Sequence, residues 1–316
     1  MAEPIGNDSF LIDTGLYRPQ HAGCYMVKDR GEFAFIDTGT QHALPRLLDT
    51  LAAQGGRPED VRYVIPTHVH LDHAGGAGQL MDACPNATLI VHPKGQPHMV
   101  DPSKLQAGAT AVYGEAAFRR DFGTLQPIDE ARTIAADDGM TLELGDRRLR
   151  FIDTPGHANH HGCIFDKASG YLYTGDTFGL GYRELYRNNE PLLVATTTPV
   201  AFDPDAWFDS LDRMLALAPT ACCLTHFGKV EAPSGLVDML RASIVRHRDI
   251  ALAEEQREPA GRAERLLQAV DAELVRDGTQ HSGLPAERVR ELFASDITLN
   301  SQGLEIWLKR RARHAA

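Results

Sequence analysis

His68, His70, Asp72 and His73 fall within six consecutive residues, His68-Val69-His70-Leu71-Asp72-His73. Imidazole nitrogen suits zinc, iron and similar transition metals, and a carboxylate oxygen can complete their shell. The segment follows Val61 to Pro66, an apolar run that reads as a buried strand. On a tight loop after a strand, alternating side chains point in different directions. His68 and His70 would then face one metal ion while Asp72 and His73 face a second. Gly75 and Gly76 follow and allow the backbone to turn close to the ions. A polar turn with coincidental histidines is the simpler alternative in a chain that holds 14 of them. It loses ground once three further positions are added. His157 closes Thr154-Pro155-Gly156-His157, Asp176 lies in Thr174-Gly175-Asp176-Thr177, and His226 lies in Leu224-Thr225-His226. Each follows an apolar run, where loops just past strand ends project side chains into a shared site. Five histidines and two aspartates in this order point to a metal centre.

Elements able to position those residues are legible on either side. Residues 10–13, 24–28 and 33–37 read as short strands, followed by a turn at Asp37-Thr38-Gly39. Residues 41–53 have helical spacing, with Leu44, Leu47, Leu48 and Leu51 on one face, and Gln54-Gly55-Gly56 stops that helix. A helix over 76–83 and a strand over 87–91 come next, and 94–136 is less regular with a helix near 114–122. Strands are expected at 141–144, 148–152, 162–165 and 172–174, a helix at 204–216, and a final short strand at 221–224. The pattern fits an α/β fold of two sheets covered by helices on their outer faces. From about residue 234 strand signals cease and apolar residues recur at helical spacing. The expected division is an α/β domain carrying these motifs over 1–232 and an α-helical C-terminal extension over 233–316.

The 316 residues, 43% hydrophobic and 24% charged, are ordinary for a globular chain able to bury a sizeable core without disulfides. A net charge of -11 disfavours non-specific contact with nucleic acid or an anionic membrane. The run Lys309-Arg310-Arg311-Ala312-Arg313 reads as a cationic helix end rather than a nucleic-acid site. No run approaches the length of a membrane span, and the start lacks a signal-peptide pattern, so neither is expected. Five cysteines with no C-x-x-C spacing read as free thiols in a reducing cytoplasm.

The motifs THVHLDHAGG, TPGH, TGDT and TH, in that order and with IDTG upstream, span roughly residues 8–230. On them the sequence resembles the metallo-β-lactamase superfamily, in particular its glyoxalase II and lactonase-like branches. The resemblance implies an αββα sandwich with metals at one edge between the sheets, here with the helical C-terminal extension. It implies that His68, His70 and His157 bind one metal, that Asp72, His73 and His226 bind the other, and that Asp176 bridges both. Asp37 would support the metal loop without being a ligand. The Asp72-His73 pair departs from the true β-lactamases, where an arginine commonly follows the aspartate. His70 stands where flavodiiron proteins use a carboxylate. His161 matches a histidine often found four places after the TPGH ligand, whereas His160 replaces a glycine usual in glyoxalase II. Spacing within His157-Ala158-Asn159-His160-His161 is also similar to that of a poorly characterised hydrolase branch.

The expected activity is hydrolysis of a thioester, lactone or related ester in a small-molecule substrate. Water between two divalent transition-metal ions loses a proton more easily than bulk water, giving a bridging hydroxide that attacks the carbonyl. Zinc is the expected ion, and manganese or iron suits the same donors. Asp72 and Asp176 are the candidate catalytic residues, Asp176 holding the metal pair and relaying a proton. The alternatives are an iron-dependent persulfide dioxygenase, which shares HxHxDH but has a mononuclear site, and a non-catalytic metal-binding module. Roles for His160, His161, Tyr182 and Tyr186 stay open between structural support and substrate contact. The C-terminal helices are expected to cover the site entrance, to form a homodimer interface, or both, with Leu236, Met239, Leu240 and Leu304 as candidate contacts and Trp307 anchoring the final helix.

Overall fold

The computed structural model describes residues 2–315, with side chains through residue 313. Backbone contacts gather the chain into two compact units. The first runs through Asp153 and adds His160–Gly175 and Ala218–Glu231; the second takes Thr154–Asn159, Asp176–Leu217 and the chain from Ala232 onward.

The first unit holds two mixed sheets. One has seven strands in chain order: β1 (Glu3–Gly6), β2 (Ser9–Asp13), β3 (Gly23–Asp29), β4 (Glu32–Ile36), β5 (Val61–Ile65), β6 (Thr88–Val91) and β7 (Thr133–Ala135). Strands β1 to β4 form an antiparallel meander, and β4 to β7 are parallel, joined by helical crossovers. The other has six: β8 (Thr141–Leu144), β9 (Arg147–Asp153), β10 (Gly162–Asp166), β11 (Tyr171–Gly175), β12 (Ala221–Leu224) and β13 (Gly228–Glu231), with only β11 and β12 parallel.

Side-chain alternation explains the layering. Strand β8 buries every second residue, and β9 does so until Phe151 and Ile152. Between the sheets Leu11, Tyr25, Val27 and Ile36 pack with Leu149, Phe151, Ile164 and Tyr173. On the outer face of the seven-stranded sheet, Met26, Phe35, Val64 and Leu89 meet helix α1 (Leu44–Ala53) through Leu47 and Leu51, and helix α3 (Ala77–Ala83) through Leu80 and Met81. Each such leucine contributes on the order of 2 kcal/mol by leaving water. Helix α2 (Leu71–Ala74) is a single turn before α3. Helices α4 (Gln96–Val100), α5 (Ser103–Tyr113) and α6 (Glu115–Asp121) fill the irregular stretch, with Phe118, Phe122 and Leu71 in a small separate cluster.

Three strands were not anticipated from sequence. Strands β1, β7 and β13 each end a sheet, and an edge strand packs few side chains inward. In β1 only Ile5 is buried, and β7 buries none of its three residues. The strand over 221–224 is therefore not the last, because β13 pairs antiparallel with it. Helix α5 was also missed: none of its residues is fully buried, so it has no apolar stripe to read.

The second unit is helical. It contains α7 (Pro204–Ala216), α8 (Pro233–Glu255), α9 (Arg262–Ser282), α10 (Ala286–Leu292) and α11 (Ala294–Ala315), with α8, α9 and α11 packed on one another. Asp203 accepts the backbone N–H of Ala206 and Pro204 opens the first turn, which starts α7. Leu240 and Leu304 are completely buried, and Trp307 sets its ring 5.5 Å from that of Phe202. No helix among the described residues is long and apolar enough to cross a membrane.

Candidate metal centre

Strand β5 delivers Thr67 and His68 to the end of the sheet, and Asp37, one residue past β4, meets them there. Asp37 has a φ of +56°, uncommon for a side-chain-bearing residue, and is 1% exposed. Its carboxylate accepts the Thr67 N–H at 2.7 Å, the Thr67 hydroxyl at 2.9 Å, the Thr225 hydroxyl at 2.8 Å and His73 Nδ1–H at 2.8 Å. One buried anion therefore ties together the loops that carry His68, His73 and His226. The turn is closed by Thr38 N–H donating to the His73 carbonyl at 2.7 Å and by His73 N–H donating to the His70 carbonyl at 3.1 Å.

Asp72, His73 and His226 converge, each offering a donor atom within 4.8 Å of the others. His226 Nδ1–H donates to the His21 carbonyl at 2.7 Å, which leaves Nε2 as the atom facing the cluster. That Nε2 lies 3.2 Å from Asp72 Oδ2. His73 repeats the pattern: Nδ1–H is held by Asp37, and Nε2 lies 3.5 Å from Asp72 Oδ2. Each of these approaches is satisfied by a metal ion held between the two atoms or by a proton on the imidazole. The other ring nitrogen of each histidine is fixed by a carboxylate or carbonyl, as in metal-ligating imidazoles. The donor set fits a divalent transition metal.

In the same unit His68 Nε2 lies 2.8 Å from His70 Nδ1; His68 is buried and His70 is half-buried. His161 is buried with its ring 4.8 Å from that of His68, and His160 lies 6.1 Å away. Gly175 is needed here, since a Cβ on it would stand 2.6 Å from His161 Nε2.

The second unit places His157 and Asp176 together, with Nε2 3.5 Å from Oδ2. His157 Nδ1–H donates to the Thr196 carbonyl at 2.8 Å, the third instance of the same pattern. Helix α7 pins both loops: Trp207 Nε1–H donates to the Thr177 carbonyl at 2.7 Å, and the Ser210 hydroxyl donates to the Pro155 carbonyl at 2.6 Å. Gly156 has a φ of +136°, and a Cβ on it would fall 2.4 Å from that of Trp207, so the TPGH turn admits only glycine.

The Tyr182 hydroxyl donates to Asp296, at 3.1 Å, which ties Tyr182 to α11. Burial pushes the Tyr186 phenol up to about 12, keeping it protonated. All five cysteines are free and buried. The supporting groups that sequence reasoning missed are the His21 and Thr196 carbonyls, Thr225 and Trp207. Thr225 adjoins His226 in the motif and was open to notice; a backbone carbonyl has no signature in the residue letters.

Replacing Asp37 by asparagine keeps its volume but removes the charge and puts an amide N–H₂ among four donors. Asp37→Asn is expected to weaken metal binding by about 10- to 100-fold. Chelator competition on the stripped protein measures it, and an unchanged affinity would remove Asp37 from the metal-supporting role.

Comparison with known proteins agrees with this geometry. A family model described as "Metallo-beta-lactamase superfamily" matches residues 17–226. A metallo-beta-lactamase fold-containing protein of Sulfurisphaera tokodaii is 27% identical over 216 residues, 67% of this chain and 75% of that protein. The N-acyl homoserine lactonase AttM of Agrobacterium fabrum is 34% identical over 36% of this chain, which spans 39% of its length. A bovine protein named acyl-coenzyme A thioesterase MBLAC2 is 27% identical over 54% of this chain and 64% of its own. The solved structure of a metallo-beta-lactamase family protein from Thermus thermophilus superimposes with a TM-score of 0.67 at 20% identity, over 98% of this chain and 95% of that one, which establishes a shared fold. On the family match and the fold together, this chain belongs to the metallo-beta-lactamase superfamily.

Proposed function

We propose that the protein is a metal-dependent hydrolase acting on a thioester, lactone or related ester in a small molecule. The observation that carries the reading is the threefold repeat of one arrangement: an imidazole fixed through Nδ1 turns Nε2 toward a carboxylate, at His73, His226 and His157. In the superfamily's ligand order, His68, His70 and His157 hold one ion, Asp72, His73 and His226 hold the other, and Asp176 is shared. When bound, the metal pair supplies an acidified water and polarises the substrate carbonyl. Asp176 positions both halves of the ligand set and takes up or relays the proton released. Asp72 fixes the second ion from the half-exposed side of its cluster. Zinc suits these nitrogen and oxygen donors. The proposed location is the reducing cytoplasm, in keeping with five cysteines that are all free.

The lactonase and thioesterase relatives support carbonyl ester chemistry. The deciding experiment is metal quantification on freshly purified protein, followed by a panel of acyl thioesters, lactones and phosphodiesters. Turnover of a thioester or lactone that vanishes on chelation is the expected result. Oxygen consumption with glutathione persulfide and a single iron would replace this reading with that of a dioxygenase.

A further inference from the structure

The C-terminal helices reach the metal chemistry through a buried hydrogen-bond network that no motif announces. Asn300, on α11, is completely buried. Its Oδ1 accepts the Thr197 N–H at 2.8 Å, and its Nδ2 donates to the Ala195 carbonyl at 3.0 Å. The side-chain amide thereby engages residues 195 and 197 much as the next strand of a sheet would. Between them lies Thr196, whose carbonyl accepts His157 Nδ1–H.

Other contacts fix the same segment. Ser243, on α8, accepts the Ala195 N–H on its hydroxyl at 3.0 Å. The Thr197 hydroxyl donates to the Asn300 carbonyl at 3.0 Å. His247 is buried, and burial lowers its pKa, so its ring is neutral. Its Nδ1–H donates to the Ser243 carbonyl at 2.9 Å, so Nε2 accepts from Asn300 Nδ2 at 3.3 Å. This fixes which end of the Asn300 amide is oxygen. One turn on, Gly303 gives the segment room. A Cβ there would stand 1.5 Å from the Thr197 carbonyl oxygen.

We propose that Asn300, with Ser243 and Gly303, positions a metal ligand: α8 and α11 hold the Thr196 carbonyl that fixes the ring of His157. The inference rests on His157 being a ligand, as set out above. A histidine whose Nδ1 partner is displaced can rotate or change tautomer, and its Nε2 then presents the wrong atom to the ion. These three residues are positioning residues, since none touches substrate.

The test uses the full-length protein, stripped of metal and titrated with zinc against a chromophoric chelator to resolve two binding steps. Asn300→Ala is expected to weaken one step by about tenfold and leave the other unchanged. The d–d absorption of the cobalt(II)-loaded variant should change with it. Gly303→Ala should act in the same direction. If Asn300→Ala does not fold, Ser243→Ala removes only the bond to Ala195 N–H and carries the same selective expectation. A general packing defect would lower both steps together; that outcome, or two unchanged steps, overturns the proposal. His157→Ala separates the two readings. It should remove the same step that Asn300→Ala weakens. If it leaves both steps intact, His157 is not a ligand and the positioning role falls with it. If it removes a step that the Asn300, Ser243 and Gly303 variants preserve, only the positioning role fails.

Discussion

Asp176→Ala should abolish turnover and weaken metal retention together. Asp176 is 4% exposed, lies 3.5 Å from His157 Nε2, and is the carboxylate proposed to be shared between the ions. Removing it deletes a charge and a ligand without deleting a large packed side chain. Metal-assisted stabilisation of the developing charge is worth several kcal/mol, so activity should fall by about 10³-fold or more at about 1.4 kcal/mol per decade. His160→Ala is the paired control. It lies beside the His68 and His70 rings but is not among the proposed ligands, so it should retain most of its metal. If His160→Ala empties the protein of metal while Asp176→Ala stays loaded, the ligand assignment is wrong.

Stripping the metal is expected to have an effect of similar size. Fully loaded protein should contain two transition-metal ions per chain, seen by elemental analysis and as a close pair in anomalous scattering. Prolonged dialysis against chelator should take activity to background, and zinc should restore it. The apo protein should also unfold at lower temperature, for an electrostatic reason. Without cations, Asp72 faces two imidazole lone pairs, and the cluster must bind protons or separate. An ion present at a thousand times its dissociation constant stabilises the fold by about 4 kcal/mol per site. Calorimetry of the apo and reloaded protein reads the difference. Full activity with one ion per chain would defeat the dinuclear assignment.

The proposed ligands and the groups that orient them were unequally visible in the sequence. The candidate ligand segments could be read because each joins an apolar strand to a short polar motif. Val61–Ile65 before His68 and Tyr171–Gly175 before Asp176 are examples. The interior strands were likewise readable, since residues such as Phe35 and Val64 hold a register that burial enforces. Edge strands were not, because β7 has no buried residue to betray it. Least visible were the groups that orient the ligands. Asp37 was open to inference from its motif. The Thr196 carbonyl and Asn300 were not, because they lie 39 and 143 positions from His157 and no local pattern links them. Leu240, Leu304 and Trp307 are buried.

The Asn300 amide that stands in for a neighbouring strand has a consequence for inheritance and redesign. A terminal helical extension invites treatment as a cassette, to be lost, exchanged or grafted with a new substrate range. Here the cassette would have to carry more than the helices. Leu193, Ala195 and Thr197 donate their backbone N–H groups to Met239, Ser243 and Asn300, and Gly303 leaves space for the segment. A graft that joins foreign helices after residue 231 would inherit a loop cut to the shape of helices it no longer has. The smallest transferable part is the loop and the helices together, two stretches far apart in the gene that must change hands as one.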